Sequence, residues 1–277
     1  MRQFFNLRSI SSLLFISIFM LSACNMKRKS AGESDQNSEP LEKARVEQDV
    51  REFVYPLPTT FEVTKMLNRI EAAYILTLSN PVDNVERYLT EKSKALNLGV
   101  YSADLSYAST YNQKQATIDY MNVSKKLIDA LNISGAISPN IVEEIEAKQN
   151  NKDALINLIT NTFYDTYEYL NKADRGSVSM LVLAGSWVEG LHIVTNITED
   201  TFKNKEMVKI VMDQKSSLNT LVNLMGVMKD NPAVAEVLAD LKPVHDIYNS
   251  VDSGSITESQ MQEIINEVNI VRAKIVD

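Results

Sequence analysis

Cysteine is almost absent from this chain: Cys24 is the single copy in 277 residues. No disulfide can form within one molecule, so stability has to come from a packed core. Histidine is nearly as scarce, with only His192 and His245. There is no His-Glu-x-x-His, no Gly-x-Ser-x-Gly, no phosphate-binding loop and no Gly-rich dinucleotide turn. A non-catalytic protein without a cofactor is therefore expected, although hydrolysis by paired carboxylates stays open because acids are plentiful. Glycine (8) and proline (7) are few. No stretch alternates polar and apolar residues between hairpin turns, so no strand is expected.

A net positive charge is also missing. The chain carries 28 basic and 36 acidic residues, a formal net charge of −8. That balance argues against sequence-independent binding of nucleic acid, and no nucleic-acid partner is expected. The only run of basic residues is Lys27-Arg28-Lys29.

The N-terminus reads differently from the rest. Arg2 and Arg8 precede an apolar stretch from Ile10 to Leu21, and no acidic residue occurs before Glu33. A stretch of twelve residues, three of them serine, is too short to span a bilayer comfortably. A positive start, a short apolar run and small residues at its end form the pattern of a secretory signal. The run ends Leu21-Ser22-Ala23-Cys24. This resembles the lipobox of bacterial lipoproteins, which implies cleavage before Cys24 and diacylation of its thiol. Two or three acyl chains, each stabilised by about 0.8 kcal/mol per buried methylene, exceed the single chain that binds marginally. The resemblance implies a membrane partner reached through lipid on Cys24. Asn25 stands where an aspartate favours inner-membrane retention in enterobacteria, so an outer-membrane location in the cell envelope is expected. Three regions follow: a signal peptide over 1–23, a lipidated cysteine and polar tether over 24–50, and a folded domain over 51–277. The tether is too poor in apolar residues to order itself.

The folded domain reads as all-α, an antiparallel bundle of about eight or nine helices stacked as hairpins. Apolar residues recur every three or four positions, as in Leu155, Ile159, Phe163, Tyr167 and Leu170, or Met261, Ile264, Val268, Val271 and Ile275. Such one-sided stripes mark helices packed on a core. Asn80-Pro81, Ser138-Pro139 and Asn231-Pro232 read as helix starts with a capping residue before proline. Thr59 with Glu62, and Thr257 with Gln260, have capping-box spacing. These marks predict helices over 60–79, 81–97, 100–132, 139–149, 152–172, 177–197, 203–229, 232–249 and 257–276. A break is expected near Asn112, and Pro243 should kink or end its helix. The low-glycine composition, rich in Asn, Lys and Ile, is similar to that of all-helical envelope lipoproteins of Gram-negative, Bacteroidetes-like bacteria. That resemblance of style implies no functional residues.

Two segments stand apart. Met180–Val194 is apolar nearly all round, which predicts a central helix rather than a membrane span, since it carries Glu189 and His192. Ala184, Gly185, Ser186 and Gly190 would admit a neighbouring backbone. Gly99–Gln113 is rich in small and aromatic residues and places Asp104 on the stripe of Tyr101, Leu105, Ala108 and Tyr111. Val100–Leu105 and Ser186–Leu191 look alike, which fits either an old duplication of helical pairs or chance.

If Asp104 and Glu189 are buried, each needs a partner or a raised pKa. The candidate partners are tyrosine hydroxyls, Ser186, His192 and a lysine or arginine from another helix. One reading is a ligand-binding polar pocket with Asp104, Glu189 and His192 facing it and Tyr101, Tyr107, Tyr111 and Trp187 as walls. The other is a buried network that fixes helix register and binds nothing. Glu189-x-x-His192 has the spacing of a di-iron half-site but occurs once, so no metal is expected. Eleven tyrosines are usual for packing with a wet hydroxyl end; sugar or peptide contact is the alternative. The function expected is a membrane-anchored helical module that binds an unknown envelope protein or peptide. Small-ligand binding and a carboxylate-dependent enzyme are the alternatives.

Overall fold

Asn and Asp end helices here where many chains use glycine. In the computed structural model, which describes residues 73–197, 201–251 and 255–277, the non-glycine residues with positive φ are Asn112, Asn132 and Asp174, each near 55–57°. Each stands just past a helix end, where a left-handed residue lets the next N–H turn back to the helix. Gln113 N donates to Ala108 O, Ile133 N to Ile128 O and Arg175 N to Leu170 O, at 2.9, 3.0 and 2.8 Å. Asn and Asp tolerate that conformation better than other side chains. The break expected near Asn112 is the first of these turns.

The described residues contain eight α-helices and no strand. They are α1 Glu91–Thr110, α2 Lys114–Ala130, α3 Ile141–Lys148, α4 Lys152–Lys172, α5 Gly176–Asn196, α6 Lys205–Val227, α7 Pro232–Ser250 and α8 Glu258–Val276. The all-α bundle read from the sequence is the fold. Every pair of consecutive helices packs together, as short loops require. The signal, the tether, Cys24 and the Thr59–Glu62 spacing lie outside the described residues.

Caps explain several boundaries. Asn231 Oδ1 accepts from Ala233 N and Val234 N at 3.0 and 3.3 Å, with Pro232 as the first helical residue of α7. Thr257 and Gln260 form the expected capping box at α8. Asn231→Ala should cost about 1 kcal/mol, read as a lower denaturation midpoint with unchanged slope. No change would mean that packing alone sets this end.

The structure corrects three expectations. Residues 73–79 and 81–90 are not α-helical. They form a strap with two short 3₁₀ turns, Leu76–Leu78 and Val82–Arg87. The true start of α1 is Thr90, which shares a capping box with Ser93. Ahead of it Tyr88 leaves the helical conformation, with ψ 90°, and its ring is buried. Second, Ser138-Pro139 precedes rather than starts α3. Its N-cap is Asn140, while Ser138 accepts from Asn140 N and donates to Glu144 Oε1. Third, Pro243 does not end its helix, since α7 runs on through it to Ser250. Its buried Leu241, Val244 and Tyr248 hold both halves of the helix against the core.

α5 is long and apolar enough to cross a membrane by length and composition, yet 83% of that window is buried inside the bundle. Its closest partner is α1. A Cβ on Gly99 would lie 2.0 Å from Val182 O, and one on Gly185 1.9 Å from Leu96 O. The two backbones therefore touch at these glycines. Gly190, expected at the same crossing, faces nothing within 4 Å.

The contact is self-complementary. Gly99 and Gly185 are spaced in sequence as Leu96 and Val182 are, and as Val100–Leu105 and Ser186–Leu191 are. The neighbour pattern repeats too. α1 packs on α2 and α4, α2 on α3 and α3 on α4; likewise α5 packs on α6 and α8, α6 on α7 and α7 on α8. A duplication would produce this repeated pattern, and so would any two runs of four helices joined by short loops. The halves differ most in their third helix, short in α3 and 19 residues long in α7.

Candidate functional site

Asp104 on α1 and Glu189 on α5 are both 0% exposed, so no water-sized probe touches either side chain. The close crossing of their two helices brings them into one buried polar cluster. The strap covers that cluster and α8 supplies its cation.

Glu189 is held by Arg272. The guanidinium binds it through both carboxylate oxygens, Nε to Oε2 at 2.6 Å and Nη2 to Oε1 at 2.8 Å. Nη2 also donates to Leu78 O of the strap at 2.9 Å. Burial disfavours the charge on Arg272, but the hydrogen bonds and charge of Glu189 more than offset it and hold the guanidinium above its usual value. A planar guanidinium suits such two-point recognition. Arg272 is the arginine from another helix that the sequence reading left unnamed. A signal for it exists, because Arg272 interrupts the apolar stripe of α8 one turn after Val268.

Asp104 has less. Its Oδ2 accepts from Asn80 N at 3.0 Å, while Oδ1 has no hydrogen-bond partner. Burial, and then the charge of Glu189, push its carboxyl well above the usual carboxylate range; Asn80 N–H, Ser79 and Arg272 act the other way. Asn80, read from sequence as a helix cap, instead joins the strap to the core. Its amide donates to Tyr88 Oη at 2.9 Å and Asn97 Oδ1 at 3.3 Å and accepts from Asn84 at 2.8 Å. Asn97 in turn donates to Ile275 O at 2.8 Å. Neither Asn80 nor Asn97 stood out in the sequence as part of a site.

The expected walls are present but closed. Tyr101 is fully buried and donates to Pro81 O at 2.9 Å. Tyr107 Oη accepts from Ile75 N at 2.9 Å, and its ring stacks at 4.8 Å on Tyr74 and at 5.1 Å, edge on, against Tyr111. The hydroxyls of Tyr74 and Tyr111 are buried without a partner, and burial pushes the Tyr74 hydroxyl up to about 12. Trp187 is buried, with its indole N–H unpartnered. His192 Nδ1 lies 2.7 Å from Asn269 Oδ1, and burial lowers its pKa. Among the described residues no group of three or more His, Cys, Asp or Glu is placed to hold a metal ion.

Six of the seven residues singled out from the sequence thus lie on α1 and α5, which cross at the cluster, while Tyr111 caps the end of α1, and the cluster is occupied by its own members. An open cleft of about 230 Å³ lies elsewhere, between α1, α7 and α8. Its charged groups pair with each other, Lys92 with Glu236 at 2.7 Å and Lys274 with Asp240 at 2.6 Å. Comparison with protein-family models, with curated proteins and with solved structures found no match.

Proposed function

We propose that this chain is a lipid-anchored protein of the cell envelope, in the outer membrane, whose helical domain is a non-catalytic module that binds a protein or peptide partner. Leu21-Ser22-Ala23-Cys24 after a short apolar run supports the anchor. The observation that favours binding over catalysis is the closure of the buried cluster. Glu189 is engaged by Arg272, His192 meets Asn269, and Asp104 is shut off from solvent. A general acid or base must come within hydrogen-bond reach of a substrate proton.

The anchor is tested by growing cells on an alkyne-bearing fatty acid. The wild-type chain should take up label and sediment with membranes, and Cys24→Ala should do neither. An unlabelled wild type whose Cys24→Ala variant stays in the membrane would instead mean an uncleaved anchor helix. For the domain, cross-linking in intact cells should give a discrete protein adduct. A melting temperature raised by a small molecule, and not raised in Asp104→Asn, would move the assignment to small-ligand binding.

A further inference from the structure

Within the buried cluster two carboxyls share one cation. Facing Asp104 are Glu189 from α5, Arg272 from α8, Tyr101 and Tyr107 from α1, Tyr120 from α2, and Tyr74 with Ser79 from the strap. His192 of α5, kept neutral by burial, faces Glu189 and Arg272. Arg272 is the one cation among these groups, and its Nε and Nη2 are committed to Glu189 and Leu78 O. Ser79's hydroxyl would favour a charged Asp104 but closes no hydrogen bond to it. An ionised Asp104 would therefore leave one uncompensated negative charge in the core with a single backbone donor. Buried charge of that kind is relieved either by a proton or by water.

Water would enter where the cover is weakest. α1, α5 and α8 are long helices packed on one another. The strap has only two short 3₁₀ turns, and side chains fasten it to the bundle. Tyr107 holds Ile75 N, Arg272 holds Leu78 O, Asp104 holds Asn80 N, and Tyr101 holds Pro81 O. We propose that the strap is a proton-gated cover: the neutral carboxyl of Asp104 keeps residues 74–88 closed, and its ionisation lifts them to admit water to the cluster. The sign follows from burial. Exposed aspartate titrates near 3.9, whereas the closed form holds its proton to higher pH. Between the two values the closed form carries one more proton than the open form. Closure is firm below the exposed value and weakens as pH rises towards the closed one.

The test is hydrogen exchange of the detergent-solubilised full chain at successive pH values from the exposed aspartate value, about 4, upward, corrected for intrinsic exchange. In the wild type, protection of peptides from 74–88 should fall with rising pH by up to about tenfold per unit, the limit set by release of one proton on opening, and level off once Asp104 is ionised in the closed form as well. Peptides from α6 report the rest of the bundle and should not follow. In Asp104→Asn, a neutral side chain of the same shape, strap protection should be independent of pH. A flat wild-type profile, or equal slopes in both proteins, overturns the proposal. If Asp104→Asn does not fold, infrared spectroscopy of the wild type decides. A protonated carboxyl C=O stretch should persist above the pH at which exposed aspartate ionises and vanish as the strap opens, and its loss at the exposed value also overturns the proposal.

Discussion

Glu189→Gln is expected to destabilise the domain by about 3–5 kcal/mol, the cost of removing one partner from a buried ion pair. The glutamine side chain would still fill the space. It would present an amide NH₂ or one neutral oxygen to a guanidinium whose side chain is only 16% exposed. Arg272 would keep its bond to Leu78 O but lose the charge that compensates it. Arg272→Met should cost as much by the opposite route, leaving the buried carboxyl of Glu189 without its partner beside Asp104. Replacing both, as Glu189→Leu with Arg272→Met, should bring back much of the loss, because an apolar pair of similar volume has no charge to desolvate. Denaturant unfolding of the two singles and the double gives the coupling directly. Singles that each lose less than about 1 kcal/mol would show that the pair is solvated rather than buried.

The second large effect belongs to the helix crossing. Gly185→Ala places a methyl group 1.9 Å from Leu96 O, and Gly99→Ala one 2.0 Å from Val182 O. Both obstacles are backbone carbonyls, which cannot rotate away, so α1 and α5 must separate. Each substitution should cost at least about 3 kcal/mol, the upper end of ordinary overpacking. The gain in helix propensity, about 1 kcal/mol, offsets only part of that. Gly190→Ala is the control on the same helix. With nothing within 4 Å, it should be neutral or stabilise by up to about 1 kcal/mol. Equal melting temperatures for Gly185→Ala and Gly190→Ala would mean that the crossing is not where the structure places it. A destabilised crossing should also loosen the cluster, since Asp104 and Glu189 sit about one turn beyond their glycines on α1 and α5.

Local signals set much of the bundle. α4 falls on the predicted 152–172, α5 and α8 lie within a residue of their predicted bounds, and the Asn112 break and the Asn231 and Thr257 caps are where they were expected. Helix periodicity, capping side chains and left-handed Asn are properties of a few neighbouring residues, so a sequence displays them. The strap defeated the same reasoning. Val82–Arg87 has helical spacing, but Tyr88 gives up helical geometry to reach Val276 O at 3.1 Å, a contact 188 residues away. Pro243 does not end α7, because packing of that helix outweighs one lost hydrogen bond.

The candidate site divides the same way. Helical spacing alone puts Asp104 and Glu189 on otherwise apolar or aromatic helix faces, and acids so placed need partners. Which partners they have was decided by tertiary structure. Arg272 lies 83 residues from Glu189, and the strap's Asn80 reaches Asp104 across 24. Only the approach of α1 to α5 at Gly99 and Gly185 brings two carboxyls within electrostatic reach of one guanidinium. The physical reason is one of range. Propensity and capping act within a turn or two of the chain. Burial, ion pairing and pKa depend on which distant surfaces exclude water from a group, and the packed fold sets that.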